Sequence, residues 1–558
     1  MTTTAVSGNG GEREGPGRLA GRSPAAVVSG SGLPEALGAA VLAVTGKTRL
    51  WPWERAEVAR ELCAHFLDGL EAGATPRQLL EMFGDPGRTA RLITRARKRN
   101  RPLAWRVLNR SAQAVALLVL ASVLWYGWIA ARFYSGTPTV RFNLQGEMNA
   151  PAVATPLSDR GWPHYRDAHR EMKRSGFFDA IHAIEEWPLL KPSTPGWLSA
   201  CAAHDKVKVE IDRVRRGTRS PRAAYVLRAN IDEPGSYGAP EGEEPVAGEN
   251  PVGLGILLPP LAVYRSHARL IAFEIRRAAA EGRAGDVAED IERLLALAHH
   301  GSEDGTLIGQ LVELAIASLA FDLLNATVRD YPALLGDAHL QRLAHLVGAY
   351  APGRDGAARS WQPDMRLERR SFEDLLQRFY TDNGEGDGRL CSGLMDCSQE
   401  FGARVSKAAR FVQPVIGGMV ASRAEMHAVY ERLADKFEAE AAKPAYQRNI
   451  YAVEEEAEAL KGPLGLHYSL AVLLAPRLQN TVPAFDQCRM ARDSAAAGLA
   501  IELHTRRQGR RPTAWSDLVP SLLPAAPIDP WTGRALVLKP GAAPNGGPLI
   551  YSVGADRV

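Results

Sequence analysis

At 558 residues, with 46% hydrophobic and 23% charged side chains, the chain has the balance of a folded protein with room for several domains, which excludes a disordered or fibrous chain. The formal net charge of +4 conceals an asymmetry: residues 1–110 carry 17 basic and 10 acidic side chains, residues 111–558 carry 50 and 53. Because the positive charge abuts an apolar stretch, it points to a membrane and away from nucleic acid.

Residues 1–33 are rich in Gly, Ser, Thr and Pro without apolar periodicity, the composition of a disordered tail. From Trp51 the pattern changes. Val58, Leu62, Phe66 and Leu70 recur every four residues, which predicts an amphipathic helix stopped at Gly73. Thr75-Pro76 supplies an N-cap and a first-turn proline for a second helix ending at Gly84, and Asp85-Pro86 repeats the device for a third through Arg99. Residues 34–100 are thus expected to form a small three-helix bundle.

From Ser111 to Ala131 the chain runs 21 residues without a charge, about 31 Å of helix at 1.5 Å per residue, which matches the hydrocarbon thickness of a bilayer. Arg110 and Arg132 close the run, and Trp125, Tyr126, Trp128, Phe133 and Tyr134 gather at its later end as interfacial aromatics do. Nine Arg or Lys and no acid lie in 88–110, against Arg132, Arg141 and Glu147 in the 26 residues after Ala131. The positive-inside rule places the N-terminus in the cytoplasm and the remainder outside a cytoplasmic (inner) membrane, with 111–131 retained as the single anchor.

Beyond the anchor, residues 135–160 read as an extended stalk, and residues 161–508 as a large all-α extracytoplasmic domain. Helices at 261–281 and 286–299 form an αα-hairpin with Gly282 and Gly285 in the turn and Asp286 as N-cap, and a longer helix covers 306–331. Further helices are expected at 336–350, 367–380, 398–415, 421–442, 446–461, 464–478 and 483–508. The hairpin has a tetratricopeptide-like look, but no fixed repeat period accompanies it. Residues 509–558 turn to prolines, turn pairs and two β-prone runs, ALVLK and LIYSV, which predict a small C-terminal β-hairpin. The expected fold class is therefore mainly α.

Three stretches carry site-like chemistry. Asp382, Asn383, Glu385 and Asp387 lie among glycines and offer oxygen ligands that could hold Ca²⁺, although an EF-hand count from Asn383 reaches Leu394 at position 12, and a solvated acidic turn explains them more simply. Cys391 and Cys397 are spaced to close a short disulfide, and Cys201 and Cys488 offer a second, while Cys63 on the inner side is expected as a reduced core thiol. Arg265, Arg269 and Glu274, with His267, share a helix and could line a pocket for an anionic ligand, although surface ion pairs at helical spacing account for them more simply. No HExxH, GxSxG, Walker, GxGxxG or CxxC signature is present, and no catalytic residue is assigned.

The segment ERAEVARELCAHFLDGLEAGATPRQLLEMFGDPGRTARLI resembles the HAAS-type or permease-prefix helical domain that precedes membrane segments in many bacterial proteins. The resemblance covers residues 34–100 and implies a cytoplasmic signalling or assembly module that meets a protein partner, without catalytic residues. GRRP, DPWTG and YSVGAD resemble the C-terminal segment of pseudopilin-like proteins, which implies a hairpin with Asp529 and Asp556 as positions for calcium. That family's processing site and N-terminal apolar helix are absent here. DRGWPHYRDA, PGWLSA and YTDNGEGDGRL together look similar to uncharacterised bacterial single-pass proteins, a family that implies no known activity. Three functions stay open at this level: an anchored interaction or sensing protein, an extracytoplasmic hydrolase with its site in a helical cleft, and a structural envelope component.

Overall fold

The computed structural model describes residues 23–101, 103–184, 190–228, 250–256, 258–353, 360–382, 384, 388–393, 406–461, 465–542 and 547–554. The fold is mainly helical with one small two-stranded sheet near the C-terminus. Two compact units, residues 1–125 and 126–558, meet within one long helix.

In the first unit, α1 (Pro24–Ser29), α2 (Glu35–Lys47), α3 (Pro52–Glu71), α4 (Pro76–Phe83) and α5 (Pro86–Arg99) surround a core of Leu37, Val41, Ala59, Cys63, Phe66 and Leu79. The expected caps form. Thr75 Oγ1 accepts from the Gln78 N–H while Gln78 Oε1 accepts from the Thr75 N–H, and Asp85 accepts from the N–H groups of Gly87 and Arg88 at 3.2 and 2.9 Å. Two helices were absent from the sequence reading. Ser23 caps α1 with Pro24 at its first position, so residues 23–33 are helix and turn where a disordered tail was expected, and residues 1–22 lie outside the described residues. In α2 the apolar positions Leu37, Val41 and Val44 follow helical spacing and are fully buried, so the bundle has five helices where three were expected.

α6 (Leu103–Tyr134) is a 32-residue helix. Among the described residues two helices are long and apolar enough to cross a membrane, α6 over Val107–Tyr134 and α14 (Leu307–Asp330), but 0% of the α6 window is buried against 56% of the α14 window. That difference has a cause in packing. Leu314, Phe321 and Leu324 of α14 sit in the larger core of the second unit, each contributing about 1.5–3 kcal/mol by leaving water. α14 also buries Gln310 and Glu313, whose bonds go to neighbouring body segments.

After α6 the chain does not form an extended stalk. α7 (Leu144–Ala154) buries Leu144, Met148 and Ala152, and its Gln145 and Asn149 amides both donate to the Leu227 carbonyl at 2.8 and 2.9 Å. Gln377 Oε1 accepts from the N–H groups of Arg141 and Phe142 at 2.7 and 3.2 Å, which ties this stretch to α16 (Arg366–Phe379). Small apolar residues and prolines in 135–160 serve packing rather than extension.

The larger core is built from α8 (Trp162–Arg174), α9 (Phe177–His182), α10 (Trp197–Asp205), α11 (Lys208–Gly217), α12 (Pro259–Ala280), α13 (Ala284–Gly301), α14 and α15 (Asp337–Ala349). The α12–α13 hairpin is present with Gly282 at φ +75°, but α13 begins at Ala284, so Asp286 lies in its first turn, bonded to Arg283, and is not the N-cap. Thr306 caps α14 by accepting from the Gly309 N–H at 2.9 Å. A second core joins Phe133 of α6 to α16, α18 (Arg423–Ala441), α19 (Ala452–Ala459) and α20 (Ser469–Leu474). α17 (Lys407–Gly417) lies between α16 and α18 in the chain, and α21 (Leu478–Gln508) runs from this core, through Leu478 and Val482, into the larger one through Phe485 and Leu499. β1 (Val537–Lys539) and β2 (Leu549–Tyr551) pair antiparallel, with Leu538 opposite Ile550.

Candidate functional site

Among the described residues, those selected from the sequence do not assemble into one site. Asp382 Oδ2 lies 2.6 Å from both Arg141 and Arg423, and Oδ1 accepts from the Gly384 N–H at 2.9 Å. The Gly384 N–H and the two guanidinium groups hold this carboxyl below its usual pKa, and they make it a clasp between the segment after α6 and the start of α18. Asn383, Glu385 and Asp387 lie outside the described residues. Asp529 is buried and accepts from the Trp531 N–H, the Ser552 hydroxyl and the Val553 N–H at 2.9, 3.0 and 3.2 Å, so it closes the DPWTG turn onto the end of β2. Asp556 lies outside the described residues.

The Cys391 thiol donates to the Phe379 carbonyl at 3.2 Å, and Cys397 lies outside the described residues. Cys201 and Cys488 are separate thiols, which corrects the second expected disulfide: Cys488 is buried in the larger core, where desolvation pushes its pKa up to about 12. Cys63 is a thiol in the first unit's core, as expected.

Arg265 and Arg269 are exposed, whereas Glu274 is buried, so these three do not line one pocket. The reason is helical geometry: nine positions at about 100° each place Glu274 opposite Arg265. Glu274 instead accepts from His204 Nδ1 at 2.9 Å and lies 3.8 Å from Arg215.

The interior polar groups that do converge come from α8, α12, α13 and the segment 220–228. The Tyr165 hydroxyl lies 2.8 Å from His300 Nδ1, and His300 Nε2 lies 3.1 Å from the Ser220 carbonyl. A carbonyl can only accept, so a neutral His300 carries its proton on Nε2 and receives the Tyr165 O–H on Nδ1. Glu303 accepts from the N–H groups of Ala223 and Ala224 at 2.7 and 2.9 Å, and thereby holds Ala224 at φ +53°, the left-handed region that a residue with Cβ disfavours. Burial, helped by the nearby Glu303 charge, drives the hydroxyls of Tyr165 and Tyr264 far above their usual pKa. The cavity bordered by Tyr264, Tyr225, His300, Glu303 and Asp304 measures ≈ 30 Å³, room for about one water.

His267 sits beneath this cluster, fully buried, with neither ring nitrogen hydrogen-bonded among the described residues; its ring meets Tyr165 at 5.7 Å and His169 at 5.8 Å. Burial lowers the pKa of His267 well below the ordinary histidine value and that of His169 to about 4. Neighbouring acids are likewise engaged. Fully buried Asp290 binds Arg215 through two bonds of 3.1 and 2.6 Å and Arg293 through one of 2.6 Å, and Glu313 accepts from Tyr350 and faces His299.

Two larger hollows are open. One, in the first unit, measures ≈ 450 Å³ and is walled by Trp51, Trp53 and Trp105 with the Arg101–Glu54 ion pair at its edge. The other, ≈ 400 Å³, is bordered by Lys191, Arg276, Arg329 and Asp330, of which Lys191 and Arg329 pair with Asp330. Sequence reasoning missed the Tyr165–His300 pair; the adjacent histidines 299 and 300 before a helix-ending Gly were its one local signal. Comparison of the chain with protein-family models, with curated proteins and with solved structures finds no match.

Proposed function

We propose that this chain is a membrane-anchored interaction or assembly protein: α6 crosses the bilayer once, the five-helix unit lies on the cytoplasmic side, and the larger helical unit lies outside. The anchor is supported by an apolar helix none of whose window is buried, preceded by nine basic residues in 88–110. α14 is the rival span, and its burial in a core with hydrogen-bonded Gln310 and Glu313 supports reading it as a body helix.

The observation that carries the binding reading is the closure of the interior polar groups. His300 and Glu303 border a cavity of only ≈ 30 Å³ and are engaged by the Tyr165 hydroxyl and the Ala223 N–H, while Asp290 and Glu313 are bonded to Arg215 and Tyr350 elsewhere in the core, which suits a rigid scaffold better than a substrate cleft. The resemblance of residues 34–100 to HAAS-type modules supports a protein partner on the inner side. Affinity capture of the full chain from its own membranes, compared with a variant lacking residues 1–100, tests this. Partners lost with the deletion are the expected result; identical captures from both would overturn the reading.

A further inference from the structure

We infer that the segment 410–419 is a second membrane contact, an interfacial element seated among the lipids of the leaflet that receives the later end of α6. The inference rests on the reading of α6 as the anchor and extends it.

Residues 411–422, FVQPVIGGMVAS, form a run of twelve without a charge, closed by Arg410 and Arg423 in the way that Arg110 and Arg132 close the anchor. α17 carries most of this run and lies directly on α6. The ring of Phe411 stacks on Tyr126 at 4.4 Å, and the Tyr126 hydroxyl donates to the Phe411 carbonyl at 2.9 Å. About two turns further along α6, the Tyr134 hydroxyl donates to the Arg410 carbonyl at 2.7 Å. Gly417 allows the approach, since a Cβ there would stand 2.8 Å from the Phe133 ring.

These contacts fix depth. Tyr126 is five residues inside the last uncharged position, Ala131, or about 8 Å below it along the helix. Whatever surrounds Tyr126 therefore surrounds Phe411. In α17 and the following turn Phe411 is 63%, Val412 47% and Met419 37% exposed beside the exposed Arg410, and on α6, near the Tyr126 that Phe411 touches, Trp128 is 58% exposed. Arg132 stacks over Trp128 at 5.0 Å, the arrangement of a cation reaching for headgroups beside an interfacial aromatic. Apolar side chains exposed at this depth beside the anchor have acyl chains as their matching occupant.

The backbone agrees with that environment. Pro414 has no N–H to give the carbonyl four residues before it, Arg410, and a carbonyl shielded from water is costly to leave unbonded. Tyr134 supplies the missing donor.

Trypsin cleavage after Arg110, Arg132, Arg410 and Arg423 isolates peptides 111–132 and 411–423. The full chain, reconstituted in phosphatidylcholine vesicles carrying a diazirine on the acyl chain, is photolysed and digested. Lipid adducts on both peptides are expected. Adducts on 111–132 alone would overturn the inference while leaving the anchor in place, and would mean that protein, either another segment of this chain or a second copy, covers α17. Adducts on neither would overturn the anchor as well. Phe411→Asp with Val412→Asp is expected to lower adducts on 411–423 about tenfold with 111–132 unchanged, since a carboxylate is expelled from that depth.

Discussion

The Tyr134 hydroxyl bonds the carbonyl of Arg410 across 276 positions of sequence, and it does so where Pro414 has removed the donor that α17 itself would have supplied. The bond answers a local backbone defect with a side chain from the helix read as the anchor. Tyr134→Phe in lipid nanodiscs should therefore lower stability by about 1–3 kcal/mol, the cost of an unsatisfied acceptor. Pro414→Ala restores an N–H in place, so the same Tyr134 change in that background should cost less than about 0.5 kcal/mol. Equal losses in both backgrounds, measured by thermal unfolding, would refute the relationship.

The buried histidines set an acid limit. The folded pKa of His169, about 4, and that of His267, well below the ordinary value, both lie beneath the unfolded value near 6.5, so the folded state favours the neutral rings. Their contribution is whole above about pH 6.5 and is lost as pH falls, at a slope of about 1.4 kcal/mol per pH unit for each ring that protonates only when unfolded. Urea midpoints should drop between pH 7 and pH 5, and His267→Leu should flatten the decline by about half. A wild-type midpoint constant over that range would rule out the buried neutral pair.

Short-range features were legible in the sequence and long-range ones were not. Thr75, Asp85 and Thr306 are caps because each bonds an N–H two or three residues away, so spacing alone exposes them. Asp286 was misassigned because Gly282 already turns the chain and Arg283 occupies the cap, a one-turn shift that spacing cannot resolve. α2 is not legible because its apolar positions are diluted by alanine and glycine, and packing against the neighbouring helices, α3 and α5 above all, makes Leu37, Val41 and Val44 interior. Tyr165 and His300 stand 135 positions apart, and the helix that carries His267 and Glu274 inward also turns Arg265 and Arg269 outward. Which polar residues meet is decided by helix packing, and one chain without its three-dimensional contacts does not record that.

Glu368 should show the opposite pH response to the histidines. Its burial raises the carboxyl pKa to about 7, while one oxygen accepts from the Leu307 N–H at the start of α14. A carboxyl whose folded pKa is raised stabilises fully at low pH, and that contribution is lost as pH rises from its unfolded value toward 7. Glu368→Gln keeps an acceptor for Leu307 without a charge, so it should raise the unfolding midpoint at pH 8.5 and leave it nearly unchanged at pH 4. A midpoint lowered equally at both values would show that the carboxylate is needed where it stands.

Asp290 gives the sharpest test of the interior network, because its two oxygens answer Arg215 and Arg293 with no exposure to water. Removing the acid alone takes from Arg215 and Arg293 their one fully buried counter-charge and leaves only Asp212, Glu274 and Glu289 beside them, so Asp290→Ala should cost about 3 kcal/mol, the lower end for a broken buried pair. The loss belongs to stranded charge more than to the attraction itself, so replacing Arg215 and Asp290 together by Met and Leu should recover more than half of it. If the double replacement is as unstable as the single one by denaturant unfolding, the ions contribute net attraction beyond satisfying one another, and the network is a stabilising element of the body in its own right.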